Sequence, residues 1–296
     1  MSVHLQLLCV RNPIVRNNIM WASALLVTSL LLAPAQGTAT GLQLSNVRNT
    51  YGELGGTRPD GKFLPGDVVF IGFDIDGITV DDQGRVQYRM AMEVIDKNNK
   101  PIFKQDPSDK VDFVPLGGKK LPARAFVTIG LDQEPGTYTL KLVVTDTASK
   151  ATQTLSKPFE VTKKDFGIVA VYASVDERGA IPAPTTGIIG QSIFVQFGIV
   201  GFDRSPKDAA DPKKGNQPDV LIEMSPIDST GVPTLKKPIA YKLENGVDEK
   251  ESGFTMRFLL PMTRAGKYTV RLSATDNRTR KTATFDLPVT VVPSAN

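Results

Sequence analysis

The sequence predicts an all-β protein, two tandem seven-stranded β-sandwiches that follow a cleaved signal peptide. Three observations carry this expectation. An apolar run near the N-terminus ends in a small-residue cleavage pattern. The remainder of the chain repeats itself at a nearly constant offset. Inside each repeat, apolar and polar residues alternate with period two, and no stretch sustains a helical period.

Residues 1–35 read as a secretory signal peptide. Arg11 and Arg16 form a positive start, and Ile19 to Leu32 is apolar apart from Ser23, Thr28 and Ser29. Ala33-Pro34-Ala35 supplies small residues where a signal peptidase reads, which places the cut after Ala35, with a second candidate after Ala39. The run is shorter than the roughly 20 residues that span a bilayer, which favours cleavage over a retained anchor. Cys9 lies before the run, not after it, which argues against a lipoprotein.

The cut changes the chemistry of the chain. Its 296 residues hold one His, one Cys and one Trp, and these are His4, Cys9 and Trp21, all in the removed segment. A nucleophile–imidazole centre, a zinc site of Cys and His ligands and a disulfide are therefore excluded from residues 36–296. Carboxylate pairs, a Ser-Lys dyad and oxygen-ligand metal sites stay open. The formal charge of +4 falls to +2 once Arg11 and Arg16 are gone, and no basic stripe of the kind that binds nucleic acid stands out.

The repeat is the strongest internal signal. Gly136-Thr137-Tyr138-Thr139-Leu140-Lys141-Leu142, then Thr145-Asp146, matches Gly266-Lys267-Tyr268-Thr269-Val270-Arg271-Leu272, then Thr275-Asp276, at an offset of 130. Gly66, Phe73, Ile75 and Gly77 match Gly190, Phe197, Ile199 and Gly201 at 124, and Pro101 matches Pro233 at 132. The drift places extra residues in loops, one of them Arg204 to Gln217. Strands follow from alternation: Val69-Ile71-Phe73-Ile75, Val86-Tyr88-Met90-Met92-Val94, Tyr138-Leu140-Leu142-Val144, and their counterparts. Turn residues such as those at 96–101 and 228–233 punctuate them. The expected domains are 36–162 and 167–296, joined by a linker at 163–166. Each is large enough to bury a core of its own.

The Gly-x-Tyr-x-apolar-x-apolar segments at Tyr138 and Tyr268 resemble the penultimate strand of immunoglobulin-like and fibronectin-type sandwiches. In that family a tyrosine corner ties this strand to the preceding loop through the phenol hydroxyl. Leu140 and Val270 stand where antibody-type domains carry a cysteine. The resemblance is therefore to cysteine-free bacterial modules, and it implies Ig-like sandwiches used for spacing, adhesion or assembly.

Candidate site residues follow. Asp146 and Asp276 sit at the same place in both copies, where an Asx turn is preferred to a calcium ligand. Asp74, Asp76, Asp81 and Asp82 are the densest acidic group and the weak calcium candidates, although alternation with Phe73 and Ile75 turns Asp74 and Asp76 toward solvent. Asp176-Glu177-Arg178 resembles a cadherin junction segment but reads better as a solvated turn. Tyr51, Tyr172 and Tyr241 are the tyrosines left for a glycan platform. The loops Thr57–Gly61 and Ile181–Pro184 are candidate binding loops or plain connectors, and Asn277-Arg278-Thr279 fits a glycosylation sequon. No catalytic residue, cofactor or firm metal site is assigned. The expectation is a secreted or periplasmic, non-enzymatic protein. Its partner is an unidentified envelope protein, with no nucleic acid and only transient signal-peptide contact with membrane. An accessory module for calcium or glycan is the alternative.

Overall fold

A computed structural model describes residues 41–206 and 215–294. The expected signal peptide and the middle of the Arg204–Gln217 insertion lie outside the described residues.

The first half contains β1 (Gln43–Asn49), β2 (Lys62–Phe63), β3 (Val68–Asp76), β4 (Arg85–Ile95), β5 (Pro101–Phe113), β6 (Lys120–Thr128), β7 (Gly136–Asp146) and β8 (Thr152–Val161). The second contains β9 (Gly167–Ser174), β10 (Thr186–Ile188), β11 (Ser192–Val200), β12 (Val220–Asp228), β13 (Ile239–Leu243), β14 (Gly253–Pro261), β15 (Gly266–Asp276) and β16 (Thr282–Val292). Each half thus has eight strands where about seven were expected from the alternation. The surplus strands are β2 and β10, two and three residues long. Each pairs in parallel with the last strand of its half. Segments so short have no period to read.

Each half stacks a three-stranded sheet on a five-stranded one. The orders are β1-β3-β6 with β2-β8-β7-β4-β5, and β9-β11-β14 with β10-β16-β15-β12-β13. One face of every long strand enters the core. In the first half Val69, Ile71, Phe73 and Ile75 of β3 meet Val86 and Val94 of β4 and Leu140, Leu142 and Val144 of β7. In the second, Val195, Phe197 and Ile199 meet Ile222, Met224, Val270 and Leu272. A single cluster drawing on both sheets makes each half sandwich-like and all-β.

The matched glycines have a steric cause. Gly77 and Gly201 both sit at φ near +70° (68° and 69°), and a Cβ there would lie 2.6 Å from the Gly41 carbonyl oxygen and 2.3 Å from that of Asp165. Backbone cannot retreat from such contacts, so only glycine fits.

The two halves are not beads on a string, since Thr40–Asn296 forms one compact unit. Tyr51, in the loop after β1, is buried in the core of the second half and meets Phe285 edge-on at 5.7 Å. Asp67 accepts a hydrogen bond from the Ala170 N–H at 2.8 Å, and Thr185 Oγ1 accepts one from the Gly56 N–H at 3.4 Å. The linker is anchored too: Phe166 is buried and Asp165 pairs with Lys281.

Candidate functional site

Asp146 and Asp276 end β7 and β15 and are fully buried. Asp146 Oδ1 accepts from the Ala148 N–H, and Oδ2 accepts from Thr79 N–H and Oγ1 (3.0 and 2.6 Å) and from Ser149 Oγ at 2.8 Å. Asp276 repeats this: Oδ1 accepts from the N–H groups of Arg278 and Thr279, Oδ2 from the Asp203 N–H and Thr279 Oγ1. Each carboxylate closes its own Asx turn and fastens it to the loop after β3 or β11. Burial pushes both acids up. The hydroxyl and N–H donors outweigh it and hold both below the ordinary carboxylate value. With every donor aimed at the carboxylate, the arrangement is a structural clasp that leaves a cation little room.

The four weak calcium candidates do not converge. Asp74 is buried rather than facing open solvent, because side chains of the neighbouring strands β1 and β6 close over it: it accepts from Asn46 Nδ2 and Lys120 Nζ. Asp76 pairs with Ser45 Oγ and Lys120, and the Ser45 hydroxyl foremost lowers its pKa. Asp81 caps its own turn through the Arg85 and Gln83 N–H groups and pairs with the Arg85 side chain. Asp82 is exposed. Among the described residues no group of three or more acidic, His or Cys side chains is placed to hold a metal ion.

Tyr138 donates its hydroxyl to the Glu134 carbonyl at 2.7 Å and accepts from Gln133 Nε2; Tyr268 donates to the Arg264 carbonyl at 3.1 Å and accepts from Arg264 Nε. Each bond ties the strand to the loop four residues upstream. The other candidates are engaged in structure. Asp176 caps the N–H groups of Arg178, Ala180 and Ile181, and Glu177 pairs with Arg257. Asn277 Nδ2 donates to Asp219. In the Ile181–Pro184 loop only Ala183 is buried, while Ile181 and Pro184 are exposed. Of the three spare tyrosines, Tyr51 is buried, Tyr172 hydrogen-bonds the Gly179 carbonyl and only Tyr241 is well exposed. They do not form a joint platform.

No known protein family matches the chain, and no curated protein matches it. What can be said of its sites therefore comes from its own geometry.

The Thr57–Gly61 loop supplies the junction between the halves. Arg58 is nearly buried; it donates to Asp60, Asp67 and the Lys62 carbonyl, and its guanidinium lies 4.3 Å from the Phe63 ring and 5.4 Å from that of Phe285. Burial pushes the Asp67 acid up, against the pull of Arg58 and of the Ala170 and Val68 N–H groups. A loop read from sequence as a binding element or connector thus sends Arg58 into the junction between the halves.

The surface that sequence reading missed is β5. It is the outer strand of the five-stranded sheet, thirteen residues long, and almost wholly exposed. Ile102, Phe103, Val111 and Phe113 are exposed apolar side chains along it, and Leu116 follows in the next turn. Pro107 and a register shift opposite Met90–Met92 interrupt it, which leaves Ser108–Phe113 as an unbroken run. Its polar residues on both faces hid it from an alternation test. The signal that was present is proline inside an otherwise extended segment, the mark of an edge strand.

Proposed function

We propose that this is an exported, non-enzymatic protein of the cell envelope that holds another protein, built from two immunoglobulin-like modules locked into one rigid body. The Ig-like reading is supported by the sheet orders, by the parallel pairing of β2 with β8 and β10 with β16, and by the tyrosine hydroxyls bonded four residues back. The observation that carries the function is the open edge of β5. An edge strand offers a row of N–H and C=O groups to a partner strand, and flanking apolar side chains supply selectivity. Lys104, Asp106, Asp109 and Lys110 along the strand guard against indiscriminate pairing. The buried Arg58 network supports a protein that must also hold its partner at a set distance.

Cross-linked capture from the native envelope extract tests this. The unchanged chain is expected to recover one protein in near-stoichiometric amount, and Val111→Asp with Phe113→Lys to lose it. Both residues are exposed, so the double variant should fold normally. No capture, or equal capture by both forms, would overturn the edge-binding reading. The exported form should begin at Gln36 by intact mass.

A further inference from the structure

The duplication supplies an internal comparison that points to a site in the second half alone. Both sandwiches open along one side, between the two edge strands that have no partner there, β5 and β6 in the first half and β13 and β14 in the second. In the first half the opening is nearly filled, with a cleft of about 160 Å³ lined by Phe103, Ile129, Tyr138 and Phe159 among others. The Phe159 ring stacks on Tyr138 with centroids 5.7 Å apart and closes the space. At the matching place the second half has Val289 for Phe159 and Leu235 for Phe103. The cleft there is about 670 Å³. That lies within the range of about 300–1,000 Å³ typical of small-molecule sites.

The larger cleft is lined mainly by apolar side chains, with Asp228, Thr234, Thr263, Arg264 and Tyr268 as its polar residues. Its floor and walls include Met224, Leu260, Met262, Val270 and Val291, and Leu235, Ile239 and Leu259 are exposed at its rim. Met224 and Met262 are flexible enough to shape themselves around a chain. Arg264, Tyr268 and Asp228 gather at the tyrosine-corner end. The residue matching Arg264 in the first half is Glu134, so the sign of the charge is reversed between the copies. Lys236 and Lys237 lie between the lining residues Leu235 and Ile239. Among the described residues Arg264, Lys236 and Lys237 have no carboxylate within ion-pair distance; Arg264 Nε donates to the Tyr268 hydroxyl, and Asp228, whose Oδ1 is held by Thr230 and Val232 of its own turn, is near enough for its charge to act on Arg264, so an anionic head must compete with that carboxylate.

We infer that the second module binds a single-chain amphiphilic anion, a long-chain carboxylate, with its hydrocarbon tail between β13 and β14 and its head at Arg264. Burial of methylene groups drives the binding, and the guanidinium fork selects the head. This site is separate from β5, and neither reading depends on the other.

The test is calorimetric titration of the purified chain with dodecanoate below its micellar concentration, alongside dodecyltrimethylammonium, anionic phospholipid vesicles and an extended apolar peptide. One saturable dodecanoate site per chain is expected. Arg264→Glu, which installs the first-half residue at an exposed position, should weaken it by about tenfold or more. Val289→Phe should abolish it by filling the cleft, and Val289→Met serves if the larger ring perturbs folding. Absence of saturable binding would overturn the inference. So would equal affinity for the cationic amphiphile, binding unchanged by Arg264→Glu, or binding only to vesicles or to the peptide.

Discussion

Replacing Asp146 by Ala tests the physical account of the clasp most directly. The side chain is fully buried and accepts four hydrogen bonds, from Thr79 N–H and Oγ1, Ala148 N–H and Ser149 Oγ. Bonds to a charged acceptor contribute roughly 1.5–3 kcal/mol each, but they are not additive and the donors are only partly buried, so part of the loss is recovered from water. An overall cost of about 3 kcal/mol follows, equivalent to a fall of about 6–12 °C in Tm for a chain of this size. Asp146→Asn keeps one acceptor oxygen and should cost about half as much. The pH dependence has a definite sign. The folded carboxyl lies below its ordinary value, so its contribution is complete above about pH 4 and is lost as pH falls toward the folded pKa. The gap between the native chain and Asp146→Ala should therefore shrink by roughly 1.4 kcal/mol per pH unit below about 4, until the folded pKa is reached. Urea unfolding at pH 7 and pH 3 measures both quantities. A cost under about 0.5 kcal/mol at pH 7, in the range of an ordinary surface change, would refute the reasoning. So would a cost that is the same at both pH values.

Three further outcomes are expected. Tyr51→Ala should destabilise the second half by about 3 kcal/mol although Tyr51 belongs to the first, because an aromatic side chain is removed from a packed core; hydrogen exchange in β16 and β9 would show it. Arg58→Ala strips the buried Asp67 of its cation and should cost about 3–5 kcal/mol, with proteolysis at 163–166 accelerated; Arg58→Lys should rescue little, since one ammonium cannot reach Asp60, Asp67 and the Lys62 carbonyl together. Tyr138→Phe should cost about 1–2 kcal/mol in thermal unfolding, for the loss of its bonds with Glu134 and Gln133.

The all-β class, the duplication and the inward faces of the long strands were legible in the sequence. The class and the faces rest on local periodicity, since a strand with one buried face must alternate wherever it lies, and the duplication rests on residues matched at a nearly constant offset. Asp146 and Asp276 were legible as turn residues for the same local reason, through the carboxylate-to-N–H bonds within each turn. Their ties to Thr79 and Asp203 were not, because those partners lie 67 and 73 residues away along the chain. The covering of Asp74 was hidden likewise: alternation gives its face correctly but cannot say that the Asn46 and Lys120 side chains close over it. The edge strand β5 escaped because polar residues on both faces interrupt its few apolar ones. The docking of Tyr51 and Arg58 across the junction escaped because nothing in a loop's own sequence says which core it will enter. The cleft of the second half depends on both levels. The exchange of Phe159 for Val289 and of Glu134 for Arg264 is written in the repeat, but its consequence is a volume, and a volume exists only once two sheets have closed around it.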